Sequence, residues 1–399
     1  MKKILVIFAK GIACLLLFVL LVADLTSFAP VYDFAPAKPF SGPDIFNPYR
    51  HYTDSLGWKR ANFHTHTRVD GLFNECEQWP DQVLSDLEKF GYDIVTFSNH
   101  NALTVHPRSA DLQVNVYEHG YNLFKYHKLV FGSRGVCLYD NLLPLTLSQR
   151  QFQLDLLGAD SDFIQMNHPF RTNNTSRPEM EALSGYRIME LDSGVTTSQD
   201  YWDWALSAGR YSFALANDDL HYPDRSDRIA VRCNFLNCPS ARYEDIKACL
   251  LDGCYWCMRV PDYGDGDWDV KYERNRHLPR IDSIGLRTDT IFIRLDRRAE
   301  RIEVTGQDHT PLLLVLESDC AEYHFVPTDS YARFTAWFDD GAVIYSNPFA
   351  RYDSSASETP YVPNPHTVNW PLTVLFNLLV LSLAAFIIWL QVRMLRRKK

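Results

Sequence analysis

Between residues 58 and 260 the chain alternates short apolar runs with helix-length segments, and this alternation narrows the fold more than any other feature. Runs of strand length lie at 92–98, 129–132, 162–167, 186–192, 211–216 and 229–236. Helical patterns at 80–90, 142–157, 177–184, 198–208 and 241–251 separate them. Gly91, Gly158, Gly185, Gly209 and Gly253 follow or close these segments, as helix C-caps do. Strand–helix alternation predicts an α/β fold with a mostly parallel sheet, open or closed into a barrel. From 281 to 352 the pattern changes to short alternating runs separated by turn residues, which predicts a small antiparallel β-sandwich. Helical signals stop near 260, and residues 261–280 read as a linker.

The two ends are apolar. Residues 4–23, broken only by Lys10 and preceded by Lys2 and Lys3, read as a signal peptide or a signal anchor, and the length of the run favours an anchor. Residues 370–390 are long enough to cross a bilayer, with Trp370 and Trp389 near its two faces. Basic residues at both extremities predict that both ends stay in the cytoplasm, which excludes a GPI signal. The expected organisation is a transmembrane anchor at 1–28, a linker at 29–57 and a metal-binding region at 58–260. The 261–280 linker, the sandwich at 281–352 and a connector at 353–369 follow. A second transmembrane helix at 370–391 and a basic cytoplasmic tail at 392–399 complete it. The main body is then extracytoplasmic (periplasmic in a Gram-negative cell), held in the cell membrane by two passes. A net charge of −9 and the lack of a basic stripe argue against nucleic acid as a partner.

Outside Cys14 there are eight cysteines, five of them between 233 and 257. An extracytoplasmic body permits disulfides, so partial pairing is expected, with buried thiols and a structural zinc at Cys254 and Cys257 as alternatives.

The chemistry concentrates at strand ends. His64 and His66, two apart on an extended segment, point to one face. Asp70 lies in the loop that follows, and His100 stands just beyond the 92–98 run. Glu118 and His127 flank 121–126, His168 caps the 162–167 run, and Asp219 and His221 follow the 211–216 run. Gathering so many imidazoles and carboxylates in one pocket without cations carries a large desolvation and repulsion penalty. Divalent ions remove it: carboxylates suit hard ions, and imidazoles suit Zn, Mn or Fe.

These residues resemble the motifs of the PHP (polymerase and histidinol phosphatase) superfamily. The similarity rests on Asn62-Phe-His-Thr-His-Thr67, Asp70-Gly71, Phe97-Ser-Asn-His-Asn101, Asn167-His-Pro169 and Asp218-Asp-Leu-His221, and covers about 58–260. It implies a distorted (β/α)7-type barrel, two or three divalent ions and hydrolysis of phosphoesters. It carries the ligand role to His64, His66, Asp70, His100, Glu118, His127, His168, Asp219 and His221. Glu190 matches a frequent carboxylate of the family and is expected to support the ligands from outside. Two features depart from the family: His66 and Asp70 are one residue closer than is common, and Asn99 stands where an Asp is usual. The region 281–352 is similar to a β domain appended to extracytoplasmic relatives.

The expected activity is hydrolysis of a phosphate mono- or diester through a metal-activated water, with no nucleophilic side chain required. Arg171 is the expected phosphate contact, and His106 and His119 are weighed as acids or substrate contacts. Lipid-linked or other small phosphorylated molecules are the expected substrates. The rival readings are a metal hydrolase of an amide or lactone and a non-catalytic envelope binding module.

Overall fold

The computed structural model describes the chain except residues 1, 71–73, 172–174, 195, 198, 364 and 397–399. Gly71 of the Asp70-Gly71 pair and the last three basic residues of the tail therefore lie outside the described residues.

The fold is mixed α/β, built on two large sheets. One has six strands: Phe213–Asn217, Ile188–Ser193, Phe163–Met166, Lys128–Phe131 and Val116–His119 in that order, with the short Thr196–Thr197 paired to Ile188–Ser193. Its first pairings are parallel, while Lys128–Phe131 runs antiparallel to both neighbours. The other places Ile94–Val95, Lys59–Asn62, Arg232–Leu236 and Tyr255–Arg259 side by side. Helices Pro80–Lys89, Leu147–Gly158, Arg177–Ala182, Asp200–Ser207 and Tyr243–Asp252 connect or flank these strands, close to their sequence positions. A Thr146–Gln149 capping box starts the Leu147 helix later than the apolar pattern predicts, because Pro144 precedes it.

Backbone contacts join the two sheets at one seam, and side chains together with backbone contacts join them at another. His100 bridges Glu118 in parallel, and Asn101 N–H donates to the Glu118 carbonyl at 2.8 Å. On the other side, buried Asn234 imitates a missing strand: its amide accepts from Ala216 N–H and donates to the Ala216 carbonyl, both at 2.9 Å. Asn217 continues the stitch by accepting from Phe63 N–H at 3.0 Å. Beneath the site, Phe63, Phe131 and Phe163 pack in a buried apolar core.

Several expectations need correction. Residues 261–280 hold a helix, Trp268–Arg276, capped by the Asp267 carboxylate on the N–H groups of Asp269 and Val270. The strands after 280 do not form a detached unit: Val343–Ser346 pairs antiparallel with Tyr255–Arg259, so the sheet runs on without a break. Where short runs are predicted, residues 290–306 form one long strand, Thr290–Gly306, paired with Thr310–His324. All nine cysteines are free thiols, which replaces the expected pairing. Cys257 sits in a strand that Cys254 only precedes, and three-residue spacing along extended chain turns the two side chains to opposite faces, so no zinc pair forms.

The terminal helices Lys2–Leu25 and Trp370–Arg396 are long and apolar enough to cross a membrane. They run antiparallel against each other, with Lys10 Nζ on the Met394 carbonyl and Gln391 on the Cys14 carbonyl. At the end near the body, Asn377 binds Ala29 through both amide atoms.

Candidate metal centre

Local chain geometry brings the site together. The turn after Lys59–Asn62 and the segment after Phe213–Asn217 pair directly: Thr65 bridges Leu220, His66 N–H donates to the Leu220 carbonyl at 3.0 Å, and Leu220 N–H donates to the His64 carbonyl at 3.3 Å. Both imidazoles of the His64/His66 pair thereby face Asp219 and His221. His168 and Asp219 hold left-handed backbone angles, φ 24° and 49°. Such angles are strained for residues with a side chain and concentrate at functional positions. Gly120 is required by close approach: with φ +131°, a Cβ there would stand 2.8 Å from the His127 ring.

Glu118 is the hub. Fully buried, it lies 3.3 Å from His64 Nε2, 3.3 Å from His66 Nε2, 2.9 Å from His100 Nε2, 3.1 Å from His127 Nδ1 and 3.4 Å from His168 Nε2. Asp219 Oδ1 lies 3.2 Å from His64 and 3.3 Å from His66. His221 donates through Nδ1 to the Asp219 carbonyl at 2.7 Å, which leaves Nε2 for another partner. The ligand-type atoms fall into three groupings, each within 4.8 Å: His64, His66, Glu118 and Asp219; His66, Glu75 and His221; His100, Glu118 and His127.

The groupings fit metal ions by a test of unmet hydrogen bonding. His64 Nε2, both nitrogens of His66, both of His168 and Asp219 Oδ1 are buried yet make no hydrogen bond. Their spacing to Glu118 or Asp219 is ion-pair spacing without hydrogen-bond alignment, as when several atoms aim at one point instead of at each other. Buried polar atoms rarely stay unpaired, because each costs about 1–3 kcal/mol.

Charge balance gives the same picture. Burial pulls the His64 imidazole down, but Asp219, Glu118 and Glu190 push it well above the ordinary histidine range. Burial also opposes His66, but the carboxylates of Asp219 and Glu118, each 3.3 Å away, raise it to about 9. Burial would raise Glu118 and Asp219, yet the surrounding imidazoles hold both carboxyls well below the carboxylate range. Burial first, and then the neighbouring imidazoles, outweigh the nearby carboxylates at His127 and His221, whose imidazoles are lowered. Without metal, protons on histidines neutralise the buried carboxylates; divalent ions compete for the same lone pairs.

Glu190 stands behind the cluster. His64 Nδ1 donates to it at 2.9 Å, Asn217 at 3.1 Å and His168 N–H at 3.1 Å, so one carboxylate fixes two strand-end histidines. With Nδ1–H held on Glu190, Nε2 is the nitrogen that His64 would offer to an ion that displaces its proton. Arg171 Nη1 donates to Asp219 Oδ2 at 2.7 Å at the mouth of a cavity of about 340 Å³, lined also by His168, Ser193, Tyr222 and Arg228.

Two expected ligands fall outside the three groupings, and Asp70, which is exposed, is one of them. Glu75 occupies that place, 3.2 Å from His100, 3.5 Å from His66 and 3.8 Å from His221. Nothing in residue spacing singles Glu75 out, because it sits in an irregular loop. His168 reaches the cluster only through Glu118 and lies outside the three groupings. Asn99 does not face the cluster; its amide accepts from Thr67 N–H at 2.7 Å and donates to the Thr67 and Thr104 hydroxyls, clamping the loop beyond His66. His106 and His119 also lie elsewhere: His119 Nε2 donates to the Tyr139 carbonyl at 2.9 Å, and His106 lies against Phe97.

No family model matches the chain, and no curated protein matches it. A matching solved structure, from Bacteroides vulgatus, is a two-domain protein containing a predicted PHP-like metal-dependent phosphoesterase. It is 13% identical with a TM-score of 0.39, and the match covers 79% of this chain and 100% of that one.

Proposed function

We propose that this chain is a membrane-tethered, metal-dependent phosphoesterase that hydrolyses a phosphate mono- or diester with an activated water. The two sheets, meeting at the His100–Glu118 bridge and the Asn234 stitch, are then the distorted barrel that the sequence motifs imply. The observation that carries the reading is the convergence of buried, unpaired histidine nitrogens and carboxylate oxygens on shared points. Nitrogen and oxygen donors in this mixture suit Mn, Zn or Fe, with room for two or three ions. When bound, such ions acidify water and neutralise phosphoryl charge.

The chain's own residues do the rest. Glu190 fixes His64 and the His168 backbone, so the donor set is rigid before substrate arrives. Arg171, half-exposed beside Asp219, is free to swing one guanidinium edge toward a phosphoryl oxygen while the other stays on the carboxylate. The cavity beyond it gives the ester group a place to sit. The tethers are the two terminal helices, which leave the folded body on one side of the bilayer, extracytoplasmic by the distribution of basic residues.

The test is hydrolysis of p-nitrophenyl phosphate and bis(p-nitrophenyl) phosphate by the metal-loaded full chain, beside amide and lactone controls. Turnover of a phosphoester, lost in His66→Ala/Asp219→Ala with normal expression, is the expected result. Turnover of only the amide or lactone, or full phosphoesterase activity in the double variant, refutes the assignment.

A further inference from the structure

Two loops beside the metal centre expose apolar side chains that the fold leaves uncovered. In 121–126, Tyr121 and Leu123 are 47% and 67% exposed; in 138–145, Leu138 and Leu145 are 67% and 71% exposed. Exposed leucines gathered on loops with almost no charge are unusual on a water-facing surface. The only charged residues in the two segments are Lys125, which is exposed, and Asp140, which is buried.

Asp140 explains why the loops form one rim. Its carboxylate accepts from Tyr121 N–H at 2.9 Å and from Asn122 N–H at 3.0 Å, while Leu123 N–H donates to the Leu142 carbonyl at 3.1 Å. This rim is bonded to the end of the first apolar helix. Tyr139 Oη donates to the Phe28 carbonyl at 2.8 Å, Leu142 N–H to Thr26 Oγ1 at 3.3 Å, and the Asn141 amide to the Thr26 carbonyl. The second apolar helix starts at the same level: Asn369 N–H donates to the Val31 carbonyl at 2.8 Å, and Trp370 beside it is exposed. If the helices span a bilayer, their ends lie at the lipid–water interface, where tryptophan is enriched.

The rim also touches the chemistry. The first loop begins three residues after Glu118 and ends just before His127, so Leu123 lies five positions along the chain from Glu118. Even fully extended, that chain spans no more than about 18 Å.

We infer that the rim of Tyr121, Leu123, Leu138 and Leu145 enters the lipid interface and that the site acts on a phosphoester borne by a membrane lipid. The inference rests on the phosphoesterase reading for its chemistry and on the helices spanning a bilayer for its geometry. Lys125 adds a positive charge at headgroup level, favourable to an anionic lipid. For a lipid phosphomonoester, the water oxygen bonds to phosphorus, the P–O ester bond breaks, and the departing lipid oxygen takes a proton. The products are a lipid alcohol and inorganic phosphate.

The experiment uses the full chain in vesicles of phosphatidylcholine and phosphatidic acid. A photo-crosslinking phenylalanine analogue replaces Leu123, Leu145 or Leu316; Leu316 is an exposed leucine of the Thr310–His324 strand. Lipid adducts at 123 and 145 but not at 316 are expected. Absence of adducts at 123 and 145, or equal labelling at 316, overturns the surface. In the second arm, Leu123→Asp/Leu145→Asp is expected to lower phosphatidic acid hydrolysis at least tenfold while hydrolysis of soluble p-nitrophenyl phosphate stays within twofold. Unchanged lipid hydrolysis, or equal loss on both substrates, overturns the substrate class. If the unmodified chain hydrolyses neither compound, the lipid monoester substrate falls, and if it also fails on bis(p-nitrophenyl) phosphate the phosphoesterase reading falls with it, while the adducts still decide the surface.

Discussion

Replacing Glu190 with Gln tests whether the cluster is organised for metal from behind. The carboxylate is fully buried and accepts from His64 Nδ1 at 2.9 Å, Asn217 at 3.1 Å, Gln165 at 3.4 Å and His168 N–H at 3.1 Å. Glutamine keeps the shape but turns one acceptor into a donor. In either orientation its NH2 group meets a donor already pointing at it: His168 N–H on one side, the His64, Asn217 and Gln165 donors on the other. A buried donor left facing a donor costs about 1–3 kcal/mol. Partners that orient metal ligands from outside typically carry about 10–100-fold in metal affinity, or roughly 1.4–2.8 kcal/mol at 1.4 kcal/mol per tenfold. Competition between the purified full chain and a chelating indicator measures the affinity directly. The expected outcome is a Kd weakened by about 10–100-fold, with phosphoesterase activity returning when the metal concentration is raised. A Kd unchanged within a factor of about two refutes the reasoning, since affinity then does not depend on this carboxylate.

Three further outcomes follow from single contacts. Glu75→Ala should weaken metal binding while Asp70→Ala leaves it unchanged, read by the same competition; the reverse result would restore Asp70 as the ligand. Arg333 and Asp203 are both fully buried and paired through Nε at 2.9 Å, so Arg333→Leu should destabilise the chain by about 3–5 kcal/mol. Asp203→Leu/Arg333→Leu should recover most of that loss in denaturant titration, and equal loss in single and double variants would contradict the pairing. Burial lowers the Lys128 amine from 10.5 to about 8. The unfolded chain therefore binds the extra proton between those values, and the contribution of Lys128 to stability is present above about pH 10.5 and lost as pH falls through about 8. Lys128→Met should accordingly stabilise the fold at pH 7 by about 3 kcal/mol, taking about 1.4 kcal/mol per pKa unit, and flatten the stability profile between pH 8 and 10.5. An unchanged profile would refute this.

What could be read in the sequence was local. Period-2 alternation sets His64 and His66 on one face, and strand ends mark His100, His168 and Asp219, because side-chain direction depends only on neighbours in the chain. Glu75 escaped because its role comes from a loop folded across the cluster, which no periodicity records. Asn99 looked like a lost charge until its amide was seen clamping Thr67. The Trp268–Arg276 helix carries no apolar stripe, although the Asp267 cap was a usable signal. The join between Trp256 and Ser346 is a pairing across ninety positions, set by register and not by local pattern.

The central claim is that His64, His66, Glu118 and Asp219 surround common cations. Elemental analysis with X-ray absorption on the purified full chain tests it most directly. The account predicts two or three Mn, Zn or Fe ions per chain in mixed nitrogen and oxygen coordination, falling in His66→Ala/Asp219→Ala. A chain that binds no divalent metal, or keeps its full complement in that double variant, would contradict it.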